Sequence, residues 1–247
     1  MKYSLICCWN DPKQLQELLL DSYSKVYGHG EKPTLLLIDN SANKYKSAAE
    51  AFNTEYEAHQ EELDDILIFL HQDIAFDDTS FFERIAHELS DNKQQIIGAA
   101  GMNKKGSVCS NLKYRDNNEY IVKQQINAKE SVESVDECCF AIPKELFKRL
   151  KFDVKTCDHW HLYGVDYCYS AKDDGILSYV IPESLYHKHN DTGGLITDLH
   201  FLRTMWKLVR KHGKKHSIIY APCYIIETRI DKAFSKLMRT AVKKLLK

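Results

Sequence analysis

Ile66-Leu67-Ile68-Phe69-Leu70-His71-Gln72-Asp73 is the stretch on which the fold turns. Five consecutive apolar, β-prone residues leave no polar face, so the segment reads as a strand buried on both sides, inside a parallel sheet covered by helices. The chain becomes polar as soon as the apolar run ends. Two upstream segments share this design: Leu5-Ile6-Cys7-Cys8 ends at Trp9-Asn10, and Thr34-Leu35-Leu36-Leu37-Ile38 ends at Asp39-Asn40-Ser41. Asp11 fits a helix N-cap, with Pro12 at the first helical position and Gln14 completing a capping box. Leu15, Leu18, Leu19, Tyr23 and Val26 follow at helical spacing, and Gly28 and Gly30 end the helix. Helices are expected around 44–58 and 79–90, then a fourth strand over Ile96-Ile97-Gly98-Ala99-Ala100. Strands alternating with helices predict an α/β fold, a three-layer α/β/α sandwich on a mostly parallel central sheet. Polar clusters at Asn10, Asp39 and Asp73 would then face the crevice beyond the carboxyl ends of the strands.

Downstream, residues 103–133 read as a loop-rich excursion with a short hairpin. An apolar run from Val135 to Ile142 reads as one strand ending at Pro143. A helix over 163–173, a strand over Leu177–Ile181, a turn at Gly193-Gly194 and a helix over 195–212 follow, with Ser217 to Ile226 a strand or extended arm. Without repeats or a linker, the expected division is one domain over 1–192 and a basic, mainly helical C-terminal extension over 193–247.

Of 247 residues 44% are apolar, enough for a sizeable core. The net charge of −1 conceals an asymmetry: residues 200–247 hold 13 Lys/Arg against Glu227 and Asp231, and residues 1–199 hold 21 against 33. The first apolar run is too short for a signal-peptide core, and no stretch approaches the ~20 apolar residues of a membrane span. Eight scattered cysteines suit buried, reduced thiols, and a cytoplasmic protein is expected. Cys157, His159, His161 and Cys168 lie close in sequence, but their spacing matches no usual structural-zinc pattern.

No glycine-rich phosphate loop is present, which turns the search for a phosphate-binding device toward a divalent cation held by carboxylates. Asp73, just past a buried strand, is the first candidate, since a carboxylate there needs solvent, a partner or a metal. His71 lies two residues earlier and shares its side only if the strand continues. His187 and His189 form a second pair, and imidazole suits Mn²⁺ better than Mg²⁺. Asp166 stands near a helix start, where it serves either as a general base or as a simple helix-terminus charge. A surface turn accounts for the first equally well and for the histidine pair better.

Together these segments resemble family-2-type glycosyltransferases of the GT-A fold, in particular a bacterial subgroup with His-Gln-Asp in place of Asp-x-Asp. The likeness spans roughly residues 1–192. It rests on Leu37-Ile38-Asp39-Asn40-Ser41, Phe69-Leu70-His71-Gln72-Asp73, Val135-Asp136-Glu137-Cys138, Trp160 to Cys168, and Val180-Ile181-Pro182 with Tyr186-His187, in that order. The resemblance implies that Asp39 reads the nucleoside, with Cys8, Trp9 and Asn10 lining the same pocket and His71 and Gln72 touching the nucleotide. It implies that Asp73 binds a Mn²⁺ or Mg²⁺ bridging the donor's phosphates and that His187 approaches that ion. Asp136 falls near the donor sugar and Asp166 in the region of the catalytic base. Because the chain has Gly164-Val165-Asp166 where most relatives carry a Glu-Asp pair, Asp136, Glu137 and Asp158 stand as further bases.

The implied activity is transfer of a sugar from a nucleoside-diphosphate-sugar, commonly UDP-linked, to an acceptor hydroxyl with inversion, as in surface polysaccharide assembly. A non-catalytic nucleotide-sugar or glycan-binding module and a nucleotidyltransferase are the competing classes. From Lys232 onward, Phe234, Leu237, Met238, Ala241, Val242, Leu245 and Leu246 form an apolar stripe among lysines and an arginine. This stretch over 230–247 suits either peripheral contact with an anionic membrane, where a lipid-linked glycan acceptor would reside, or docking onto the domain or a second subunit. Nucleic acid is not expected, since no reading module accompanies the basic residues.

Overall fold

A computed structural model describes residues 2–28, 30–188, 198–222 and 224–229. His189, the Gly193-Gly194 turn and the basic stretch over 230–247 lie outside the described residues.

The first half delivers the expected alternation. β1 (Tyr3–Trp9) leads to Asp11, whose Oδ1 accepts from the backbone N–H groups of Lys13 and Gln14. The helix it caps runs as α1 (Pro12–Gln14), a π-helical stretch (Leu15–Leu20) and α2 (Asp21–Tyr27), where the spacing predicts one regular helix. β2 (Thr34–Asp39), α3 (Ala48–His59), β3 (Ile66–His71), β4 (Ile74–Ala75), α4 (Ser80–Asp91) and β5 (Gln95–Gly98) follow.

Next come β6 (Ala100–Met102), β7 (Val108–Ser110), β8 (Lys113–Tyr114), β9 (Glu130–Val132), β10 (Ser134–Val135) and β11 (Cys139–Pro143). The run from Val135 to Ile142 is therefore two strands in different sheets. Asp136 breaks it, its side chain accepting from Cys138 N–H at 2.9 Å and its own N–H bonding Ala100 O at 2.8 Å. The remainder is α5 (Lys144–Arg149), α6 (Tyr163–Asp173), β12 (Leu177–Val180), β13 (Tyr186–His187), α7 (Leu199–His212), β14 (Ile218–Ala221) and β15 (Tyr224–Glu227).

The central sheet has the order β2-β1-β3-β11-β5-β12-β9. β1 is parallel to β2 and β3, β5 is parallel to β12, and β11 and β9 run against their neighbours. Five strands thus share one direction, as the α/β pattern predicts. Successive crossovers from β1 pass to opposite sides, so the sheet has a switch point between β1 and β3, where the loops after the strands part.

Period-two alternation divides β3 between the two cores. Leu67 and Phe69 face α3, α5 and α6, while Ile66, Ile68 and Leu70 face the π-helical stretch and α4. All five are at most 1% exposed, each contributing roughly 1.5–3 kcal/mol relative to exposure. Phe69 centres an aromatic cluster with Phe52, Phe140, Phe147 and Phe152, at ring separations of 5.0 to 5.5 Å.

A third core lies beyond α6. Leu162, Val165 and Tyr169 pack on Phe201, Met205, Leu208 and Val209 of α7 and on Ile219, Ala221 and Ile226 of the β14–β15 hairpin. The described part of the expected extension is therefore seated on the domain. Its lysines meet the acidic body directly: Lys207 bonds Asp158, Lys211 bonds Asp153 and Asp166, and Lys215 bonds Asp173.

Phe69→Ala is expected to cost about 3–5 kcal/mol, because its aromatic neighbours are held from several elements and cannot collapse into the space. Urea unfolding measures this; a cost under about 1 kcal/mol would place the main core elsewhere.

Candidate functional site

The cleft lies where β1 and β3 leave the sheet. It encloses about 260 Å³ and is lined by Cys8, Trp9 and Asn10 after β1, by His71, Gln72 and Asp73 after β3, and by Trp160, His161 and Tyr163 before and at the start of α6. Asn40, Asn43, Ala48 and Phe52 close the side toward β2 and α3. The strand-end clusters at Asn10 and Asp73 do converge there. Asp39 does not line the cleft; its exposed carboxylate accepts from Ser41 N–H at 2.8 Å, and Asn40 is the lining residue of that cluster.

The tripeptide after β3 divides its labour. Gln72 is a brace: its Oε1 accepts from the backbone N–H groups of Asn10 and Asp11, both at 3.0 Å, and its Nε2 donates to Asn10 Oδ1 and Gln14 Oε1. Gln14 is thus engaged by Gln72 instead of completing the capping box. His71 and Asp73 project together, with His71 Nδ1 3.9 Å from Asp73 Oδ1.

His187 reaches the same place through strand pairing. β13 runs antiparallel to β4 with His187 opposite Ile74, and Lys188 N–H donates to Asp73 O. This register sets His187 Nε2 3.5 Å from Asp73 Oδ1. One ligand atom from each of His71, Asp73 and His187 lies within 4.8 Å of the other two, the one such group among the described residues. Ligands about 2.1 Å from a shared ion stand at most roughly 4.2 Å apart, so closing by under about 1 Å would seat a cation. One carboxylate with two imidazoles favours Mn²⁺ over Mg²⁺. Burial holds the His71 pKa below its usual value, against the opposing pull of Asp73, which favours the neutral imidazole that a metal needs.

Other candidates fall elsewhere. Asp166 is 2% exposed and turned to α7, its Oδ1 2.8 Å from His212 Nε2 and its Oδ2 2.8 Å from Lys211 Nζ. It does not line the cleft, and its carboxylate is taken up by α7. Asp158 is likewise tied to Lys207 and Arg203. Cys157 donates to Leu162 O, and His159 stacks on His200 at 4.2 Å and 8°, so the cysteine–histidine group considered for zinc does not assemble. Cys8, in the cleft, has its thiol pKa pushed up to about 12 by burial, which favours the protonated thiol near neutral pH.

Asp136 and Glu137 precede Cys138, whose carbonyl accepts from His71 N–H at 2.9 Å, and neither lines the cleft. The charge of Asp136 bears on His71. Glu137 caps α6 from a distance, its Oε1 accepting from Gly164 N–H at 3.2 Å, where Leu162 enters with φ 68° and supplies no side-chain cap. A Cβ on residue 164 would stand 3.1 Å from Glu137 Cγ, so glycine there leaves the carboxyl its place. Burial, then the Asp136 charge, raise the Glu137 pKa to about 8.

No protein-family profile matches the sequence, and no curated protein sequence does. Solved structures do match in shape. GalNAc-T7 with UDP, GalNAc and Mn2+ superposes on 86% of this chain and 48% of its own, with TM-score 0.57 and 12% identity. The mannosyltransferase PcManGT from Pyrobaculum calidifontis, in complex with GDP-Man and Mn2+, superposes on 87% of this chain and 66% of its own, with TM-score 0.58 and 10% identity. The fold is GT-A-like. The chain spans about half the length of the first GT-A relative and two thirds of the second. The GT-A sheet puts the cleft at the β1–β3 switch point, where the His71, Asp73 and His187 side chains meet.

Two measurements test these placements. The Glu137 carboxyl binds its proton more tightly in the folded state than in the unfolded one, so the stability this group contributes is lost as pH rises between about 4.5 and 8. Glu137→Gln is expected to remove that loss, its melting temperature gaining on the wild type from pH 5 to pH 8; parallel curves would refute the burial argument. Asp166→Ala is expected to cost about 1–3 kcal/mol by leaving the buried His212 Nε2 without its partner while Lys211 keeps Asp153, and binding of any cleft ligand by the folded fraction stays unchanged.

Proposed function

We propose that this protein is a glycosyltransferase that moves a sugar from a nucleoside-diphosphate-sugar to an acceptor hydroxyl, with a divalent cation held by Asp73, His187 and His71. The observation that carries the proposal is the convergence of those three side chains at the switch-point cleft. Support also comes from the solved relatives of the same fold, whose structures hold UDP or GDP-Man together with Mn2+.

In this reading Trp9, Asn10, Asn43 and Phe52 receive the nucleoside, with Asp39 at the edge, and Gln72 holds the two cleft walls at fixed spacing. When bound, the cation neutralises charge on the departing diphosphate. The chain's own residues do the rest. Phe52 and Tyr163 exclude water from the inner wall, and the base that takes the proton of the acceptor hydroxyl comes from the Asp136–Glu137 pair, which stands outside the cleft lining and acts on His71 through the charge of Asp136. A carboxyl with a pKa of about 8 is a stronger base than an ordinary one once it is deprotonated. Attack on the face opposite the leaving diphosphate gives inversion. The acceptor is a glycan of a surface polysaccharide, and the work is done on the cytoplasmic side of the membrane.

Thermal unfolding with UDP or GDP, each with and without Mn²⁺, tests the core of the proposal. The melting temperature is expected to rise by several degrees only when nucleotide and metal are both present. Asp73→Ala is expected to abolish that rise without lowering the melting temperature of the unliganded protein. A nucleotide effect that survives in Asp73→Ala, or none in the wild type, would overturn the assignment.

A further inference from the structure

The two sides of α7 differ sharply. Phe201, Thr204, Met205, Leu208, Val209 and His212 are buried against α6 and the β14–β15 hairpin. On the opposite side Leu199 is 78% exposed and Trp206 39% exposed, alternating with exposed Arg203 and Arg210. At 3.6 residues per turn these four project within an arc of about 60°. Exposed Lys214 follows just beyond the helix end. Of the two arginines, Arg203 keeps a long contact with Asp158 at 3.5 Å while 65% of its side chain stays accessible.

An indole and a leucine set between guanidinium groups suit a boundary that is apolar on one side and anionic on the other. The rings and alkyl stems enter the acyl region while the guanidinium groups bond phosphate oxygens. We infer that the outward face of α7 rests on an anionic lipid surface. Charge decides against the other occupants. A second copy of this face would set arginine against arginine, and the chain's own stretch over 230–247 brings Lys232, Lys236, Arg239, Lys243, Lys244 and Lys247, again of like sign. The stripe stands on a convex helix, which fits a planar membrane better than it fits an inserted peptide.

The seat also has a direction. The amino-terminal end of α7 touches the cleft rim, with His200 stacked on His159 and Phe201 5.8 Å from His161, which lines the cleft. A membrane lying along this face would border the cleft and favour acceptors carried on lipid.

Sedimentation of the full chain with vesicles tests the inference without any donor or metal, so its outcome is separate from that of the glycosyltransferase proposal. The protein is expected to sediment with vesicles of phosphatidylcholine and phosphatidylglycerol, not with phosphatidylcholine alone, and to release as salt rises. Trp206→Ser combined with Arg210→Glu is expected to weaken vesicle affinity at least about tenfold. The melting temperature and the nucleotide-with-Mn²⁺ shift should stay at wild-type values. Three results would overturn the inference: equal vesicle binding by the double variant, as when residues 230–247 alone carry it; no binding by the wild type; or a Trp206-dependent dimer that ignores lipid.

Discussion

The structure depends on one constraint, the burial of β3 on both faces. Ile66 through Leu70 supply apolar side chains to two cores in alternation, so neither core closes unless helices cover both sides of the sheet. The crossovers from β1 must then pass to opposite sides. That requirement creates the switch point between β1 and β3 and leaves a cleft where the two chain segments part. The polar tripeptide after Leu70 stands there because it is the first part of the strand's path that the cores do not need.

The site is completed from a part of the chain more than a hundred residues away. β4 is only two residues long, yet its pairing with β13 fixes the register that sets His187 against Asp73. A slip of one residue would turn His187 to the other face, so a small ladder holds the spacing of His71, Asp73 and His187. The C-terminal elements act at a further remove. Asp166 binds Lys211 and His212, α7 is thereby fixed on α6, and the start of α6 carries the Trp160–Tyr163 wall of the cleft.

Much of this was legible in the sequence. Apolar runs ending in polar clusters located β1, β2 and β3 and predicted that Asn10, Asp39 and Asp73 would face one crevice, which Asn10 and Asp73 line and Asp39 does not. Local capping chemistry marked Asp11. What escaped was long-range or context-dependent. The run from Val135 to Ile142 looks continuous because nothing in its hydrophobicity shows Asp136 bonding Cys138 and Ala100 to leave the sheet. Asp166 stayed open between a general base and a helix-terminus charge because a carboxylate near a helix start reads alike whether it faces a cleft or a buried lysine and histidine. Nor does sequence spacing show that Glu137 reaches the start of α6, which depends on where β10 ends against that helix. Which side of α7 is buried, and hence that Leu199, Arg203, Trp206 and Arg210 share the outward side, follows only from the third core.

Gln72 has a consequence for how the site tolerates change. Two of its four bonds end on main-chain amides of Asn10 and Asp11, groups that no substitution at those positions by a residue other than proline can delete. The mounting of the cleft is thus largely indifferent to the side chains that line its β1 wall. Those side chains are free to vary with whatever ligand they meet, while the spacing between that wall and the residues flanking Gln72 stays constant: a surface that can drift on a chemical frame that does not.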